Sequence, residues 1–321
     1  MSVTVALAGD TMLGRGVAER LATASPESLV HPAVAELTRA ADLFVLNLEC
    51  CISARGDPWA RPGKPFFFRA PPAAVETLVH LGVDCVTLAN NHALDFGEEA
   101  LLDTFRHLEA AGIAWVGAGP ASDRARQPAI LQANGWRLAL VGITDHPEDF
   151  AAGPDRPGVA YADLSRETAP WVRSAIEEAS ASADAVLVAP HWGPNMTAAP
   201  VPHVRRAAAE LLDSGATLVA GHSAHVFHGV AGRVLFDLGD FLDDYAVDPL
   251  MRNDLGLLFL VMFDEQGPVR VEAVPLRLQF CFTRPAEGEE ADWIRGRFRE
   301  ACAALGSEVT EVSGRLVVPL R

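Results

Sequence analysis

The stretch ATLVAGHSAHVFHG, residues 216–229, joins a short apolar run to three histidines at three-residue intervals, His222, His225 and His228. Imidazole is the commonest protein ligand for transition metals, and the chain holds only ten histidines in 321 residues, so the run reads as a metal-binding loop. The apolar residues before it predict a buried strand that opens into that loop. The same layout occurs four more times: ALAGD ending at Asp10, FVLNLE ending at Glu49, CVTLANNH ending at His92, and AVLVAPHWG containing His191. Each apolar strand delivers a carboxylate, an amide or an imidazole at its C-terminal end. In α/β folds ligands gather at the carboxyl ends of strands. One site fed by five strand ends is the expectation.

Working outward, strands alternate with helices over most of the chain. Helices are predicted from Pro32 to Ala40, Pro71 to Leu81, Glu98 to Ala111, Ser165 to Ala179 and Val204 to Ser214, several of them closed by glycine. Beyond residue 230 the pattern changes to successive strands, with Glu265-Gln266-Gly267 as a hairpin turn. A last helix from Gly288 to Leu305 and a closing strand follow. This mixture predicts an α/β fold, a four-layer α/β/β/α sandwich of two mixed sheets, with a small C-terminal α+β extension. The main domain is expected over 1–250. Residues 251–321 either complete that domain or form a small appendage. The segment 53–70, SARGDPWARPGKPFFFRA, has no periodicity and reads as a loop over the site.

Composition narrows the function classes. With 26 Lys+Arg against 42 Asp+Glu the formal net charge is -16, and the basic stripe of a nucleic-acid binder is missing. Five scattered cysteines, Cys50, Cys51, Cys85, Cys281 and Cys302, match neither a disulfide framework nor a cysteine zinc site. The first strand begins at Val3 with no signal-peptide pattern, and no apolar run reaches the ~18 residues of a transmembrane helix. A cytoplasmic protein without a membrane anchor is expected; its oligomeric state is left open.

Several residues carry alternatives. Asp10 is a carboxylate ligand or a helix N-cap. Glu49 follows a buried strand, where a carboxylate needs a metal or a salt bridge. Asn91 offers a neutral oxygen ligand and His92 a proton donor near neutral pH, with Asp95 placed to orient the ring; a purely structural Asn-Asn-His turn is the other reading. His191 gains weight from its place in the series. Of the three histidines in the run, two read as ligands and His228 as the bystander. Asp240, in LFDLGDF, either adds a carboxylate to the rim or only caps strands. Nucleotide-cradling glycine loops and a nucleophile elbow are missing.

Taken in order, GDTMLGR, NLEC, LANNHALDFG, PHWG, GHSAHVFHG and LFDLGDF resemble the CapA family of bacterial capsule and poly-γ-glutamate synthesis proteins, over roughly 3–248. That family is similar in fold to calcineurin-like metallophosphoesterases. The resemblance implies a dinuclear site with two divalent ions (Mn, Fe or Zn). It makes Asp10 and Glu49 ligands of the first metal, Glu49 in the bridging place. Asn91, His191 and His222 serve the second, His225 returns to the first, and His92 is the acid or the phosphate-contacting histidine. The chain departs from the metallophosphoesterase pattern in having Thr11 and Met12 after Asp10, and two residues between His222 and His225. The function so implied is a metal-dependent hydrolase of a phosphoester or a γ-glutamyl amide, acting on a small or oligomeric anionic substrate. The alternative is a non-catalytic accessory protein that binds an anionic polymer or a partner.

Overall fold

The computed structural model describes residues 2–60 and 63–321. A strand covered on both faces must be apolar throughout, and the runs quoted above become such strands. All seven residues of strand Ala185–His191 are buried. It pairs in parallel with Trp136–Thr144 on one side and Leu218–Ala220 on the other. Strands Ala129–Ala133, Val234–Leu235 and Val230–Ala231 complete this sheet.

The second sheet is built on Val3–Thr11. Leu43–Leu48, Cys85–Thr87 and Ala114–Val116 follow it in parallel order. Its other neighbour, Leu255–Asp264, runs antiparallel and turns back into Gly267–Gln279. Residues past 251 thus enter the same sheet as the first strand, and Arg315–Pro319 and Thr310–Val312 extend it. The short strand Asp240–Leu242 pairs with the end of Val3–Thr11, setting Asp240 opposite Asp10.

Between the sheets lie Val5, Leu7, Val45, Leu140, Leu187, Phe259 and Val261, joined by Ile294, Phe298 and Cys302 of helix Gly288–Ala303. The outer face of the sheet built on Val3–Thr11 is covered by Val34, Leu78, Leu101 and Leu108, and that of the sheet around Ala185–His191 by Val172, Ile176, Val204 and Leu211. This is the expected four-layer α/β/β/α sandwich. Helix Pro202–Asp213 shows why the segments are helical. Val204, Ala207, Ala208 and Leu211 recur at helical spacing and are buried, and proline opens the first turn.

The helix expected from Ser165 begins instead at Pro170. Proline disfavours helical geometry in the residue before it, and the preceding Thr168 is held by Glu210 Oε2, which accepts from its N–H and its hydroxyl at 2.7 Å. The 53–70 segment is clipped at its ends, where Cys51–Ile52 pairs with Arg69–Ala70; its Arg61 and Pro62 lie outside the described residues. Among the described residues no helix is long and apolar enough to cross a membrane.

Candidate metal centre

Because the strands of each parallel set point the same way, their C-terminal ends share one rim. The histidine run is tied across it: His222 N–H donates to the Pro190 carbonyl at 2.9 Å, and Trp192 N–H to the His222 carbonyl at 3.1 Å. Gly221 is required here, since a Cβ would lie 2.3 Å from the Phe236 carbonyl oxygen and 2.4 Å from Trp192 Nε1. Ser223 and His225 adopt positive φ angles of 111° and 59°. Such strain in non-glycine residues persists where the surroundings over-determine it.

That turn brings His225 to the first strand. Its Nδ1 lies 2.8 Å from Asp240 Oδ1 and 3.4 Å from Asp10 Oδ2, while His222 Nδ1 lies 3.4 Å from Asp10 Oδ1. Glu49 is 3.9 Å from His191 Nε2 and 4.0 Å from His225 Nδ1. Two groups of ligand atoms have the spacing of a metal site: Asp10, Glu49 and His191, and Asp10, His225 and Asp240. Asp10 is common to both, where the resemblance put Glu49 in the bridging place. Asp240 stands inside the second group.

Several of these atoms are buried without a hydrogen-bond partner among the described residues: Glu49 Oε1, Asn91 Oδ1, both ring nitrogens of His191, His222 Nδ1 and Asp240 Oδ2. Orphaned buried polar atoms are costly, and here Glu49, His191 and Asp240 are members of the two ligand groups, with His222 beside Asp10. The ion-pair partners of Asp10 and Glu49 among the described residues are all imidazoles. Burial and the nearby Asp10 charge push the Glu49 carboxyl up, and burial with Asp243 does the same to Asp240. Burial acts on Asp10 too, but His222 and the other surrounding imidazoles outweigh it and hold its carboxyl down. A divalent cation fits this set, because it would meet the orphaned side chains of Glu49, His191 and Asp240 that belong to the two ligand groups and offset the crowded carboxylates.

The NNH segment divides its tasks. Asn90 is structural: its amide donates to Asn47 Oδ1 at 3.0 Å and to the Leu48 carbonyl at 2.9 Å, and its Oδ1 accepts from His92 N–H. Asn47 in turn donates to Asp10 Oδ1 at 2.7 Å. Asn91 keeps its Oδ1 free among the described residues. His92 Nδ1 lies 2.6 Å from Asp95 Oδ2. Asp95 also accepts from Phe68 N–H at 2.7 Å and pairs with Lys64 at 2.9 Å, so it acts as acceptor and Nδ1 carries the hydrogen. Burial pushes the His92 imidazole down to about 4 against the pull of Asp95. Its ring stacks on Phe68 with centroids 4.0 Å apart. Lys64 and Phe68 both come from the 53–70 segment, which therefore helps to build the site.

His92 and His225 line a cavity of ≈ 250 Å³ together with Arg15, Phe68 and Tyr245. Tyr245 donates its hydroxyl to Glu49 Oε2 at 2.8 Å. Tyr245, Lys64 and the pair Asp145–His146 are additions to the residues expected from sequence. The pair had a signal: strand Trp136–Thr144 runs directly into Asp145 and His146, the same layout as the other strand ends. The His146 ring centre is 5.2 Å from that of His191, and Asp145 holds its Nδ1.

His228 belongs to neither ligand group, and its Nε2 donates to the Thr197 carbonyl at 2.7 Å. Burial, aided by the charges of Arg297 and Arg205 and opposed by that hydrogen bond, moves it from 6.5 down to about 4. The unfolded chain therefore binds the extra proton between these values. Stability from a neutral His228 is fully present above pH 6.5 and lost as pH falls through about 4, a loss of roughly 3 kcal/mol. Urea midpoints from about pH 7 to pH 4 are expected to fall less steeply in His228→Gln than in the native protein; equal slopes would refute this.

Residues 4–245 match the family model described as bacterial capsule synthesis protein PGA_cap. A Mycobacterium tuberculosis protein described as a probable polyglutamine synthesis accessory protein is 32% identical, over 96% of this chain and 93% of that one. The PGA biosynthesis protein CapA of Bacillus subtilis is 29% identical over 89% and 74%. A crystal structure of a hypothetical protein from Thermus thermophilus shares the fold, with TM-score 0.52, 18% identity and coverage of 85% of this chain and 99% of that one. From the ordered motifs to the sandwich they build, the chain belongs to the PGA_cap family of bacterial capsule synthesis proteins.

Proposed function

We propose that this protein is a divalent-metal-dependent hydrolase acting on an anionic substrate, either a phosphoester or a γ-glutamyl amide. The observation that carries the reading is the shared carboxylate: Asp10 belongs to two ligand groups at once, and their members Glu49, His191 and Asp240 carry buried atoms without a hydrogen-bond partner among the described residues. Asp10, Glu49, Asn91, His191, His222, His225 and Asp240 would hold one or two ions of the Mn, Fe or Zn class. When bound, the metal supplies a Lewis acid and a water of lowered pKa.

The remaining work falls to the chain. Asp95 holds His92 in one tautomer, with Nε2 as its reactive edge. An anionic substrate against that edge favours the imidazolium, which protonates the leaving group. Phe68 and Tyr245 narrow the cavity beside it and limit water. A second reading, a non-catalytic protein that binds an anionic polymer or a partner, draws on the accessory role in the mycobacterial relative's description.

The test is a screen of phosphomonoesters, phosphodiesters and γ-glutamyl anilides with protein supplemented in turn with Mn, Fe and Zn. Turnover of one class that stops on chelation is expected. Binding of oligo-γ-glutamate without cleavage would favour the second reading, and neither turnover nor binding would contradict both.

A further inference from the structure

Arg15 is the one permanently charged residue among those described as lining the ≈ 250 Å³ cavity that holds His92 and His225. Its placement is over-determined. The backbone takes φ 49°, a left-handed conformation that an arginine rarely adopts. Gly16 then brings the chain against Asp244, donating N–H to Oδ2 at 2.8 Å, where a Cβ would sit 3.0 Å from that oxygen. Asp244 grips one edge of the guanidinium, Nε at 3.2 Å and Nη2 at 3.0 Å. The rings of Phe68, Phe66 and Tyr245 lie 5.3, 5.7 and 5.9 Å from its Cζ, and Phe68 is the ring stacked on His92. The Asp244 side chain is 4% exposed and that of Arg15 36%. The Nη1 hydrogens and one on Nη2 have no protein acceptor among the described residues.

We infer that Arg15 is a specificity-determining residue whose free edge binds an oxyanion of the substrate, a carboxylate or a phosphate, distinct from the group held at Asp10 and its neighbours. The word substrate rests on the hydrolase reading; the anion subsite does not. A chain of net charge -16 repels anions at long range, so an anion entering this cavity needs a fixed counter-charge. A guanidinium already locked by a buried carboxylate and three rings presents its remaining N–H groups with little entropy left to lose. The substrate class is one with two anionic centres, the second reaching Arg15 while the first lies at the reacting position.

The experiment measures binding to the whole protein of two anions that the site cannot cleave, glutarate and methylenebisphosphonate, by calorimetry. Arg15→Asn keeps a residue that tolerates positive φ, and Arg15→Lys keeps the charge without the planar fork. Metal content and thermal midpoint are followed in each. At least one anion is expected to bind the native protein and to weaken about tenfold or more in Arg15→Asn, with a smaller loss in Arg15→Lys; the responding anion identifies the source of the oxyanion. If Arg15→Asn does not fold, a clear weakening in Arg15→Lys carries the test. Affinities unchanged within about twofold, or no binding of either anion to the native protein, overturn the inference. Turnover is not read, so an inactive protein with Arg15-dependent binding overturns only the hydrolase reading.

Discussion

Asp10→Asn is expected to cost the protein its metal and its turnover together. The substitution is isosteric and keeps an oxygen to accept from Asn47, but it removes the charge that both ligand groups share. Loss of an outer partner of a metal ligand costs ~10–100-fold in affinity; loss of a charged ligand common to two groups exceeds that. Stability falls as well in metal-free protein. Asp10 raises the carboxyls of Glu49, Asp237 and Asp240, but the surrounding imidazoles hold its own carboxyl down, so its charge is net favourable in the fold and the metal-free variant is less stable than metal-free native protein at neutral pH. Elemental analysis and thermal melts check the two halves. A variant that retains metal and rate would remove Asp10 from the centre of the account.

The second large effect is at His92. His92→Gln is expected to lower kcat by about 10²- to 10⁴-fold, the usual range for a lost general acid, while metal content stays at the native level. The separation follows from geometry: His92 is tied to Asp95 and Phe68 and stands outside both ligand groups. Steady-state kinetics beside metal analysis decides it. Full activity would sink the acid assignment, and loss of metal would make His92 a ligand or a prop for Asn91.

What was legible in the sequence follows from burial. Strands covered on both faces, such as Ala185–His191, are continuous apolar runs, so their ends and the polar residues on them could be read directly. Two- and three-residue strands carry no period. The strand expected over 233–238 therefore shrinks to Val234–Leu235, Asp240–Leu242 was not separable from its loop, and the pairing of Asp240 with Asp10 spans the chain. That is why Asp240 stayed undecided between ligand and cap. Lys64 was hidden for a related reason. It sits in an aperiodic segment and acquires its place only by reaching Asp95 and the Asn91 carbonyl. Asp145 and His146 follow a strand end of the same kind as the others and were open to the same rule.

The central claim is that the rim of strand ends holds metal. It is tested most directly by elemental analysis of protein purified without chelator or affinity metal, beside an Asn91→Ala/His222→Ala double variant. The account predicts near-stoichiometric Mn, Fe or Zn in the native protein and a marked drop in the variant. No bound metal in the native protein, even after reconstitution, would contradict it.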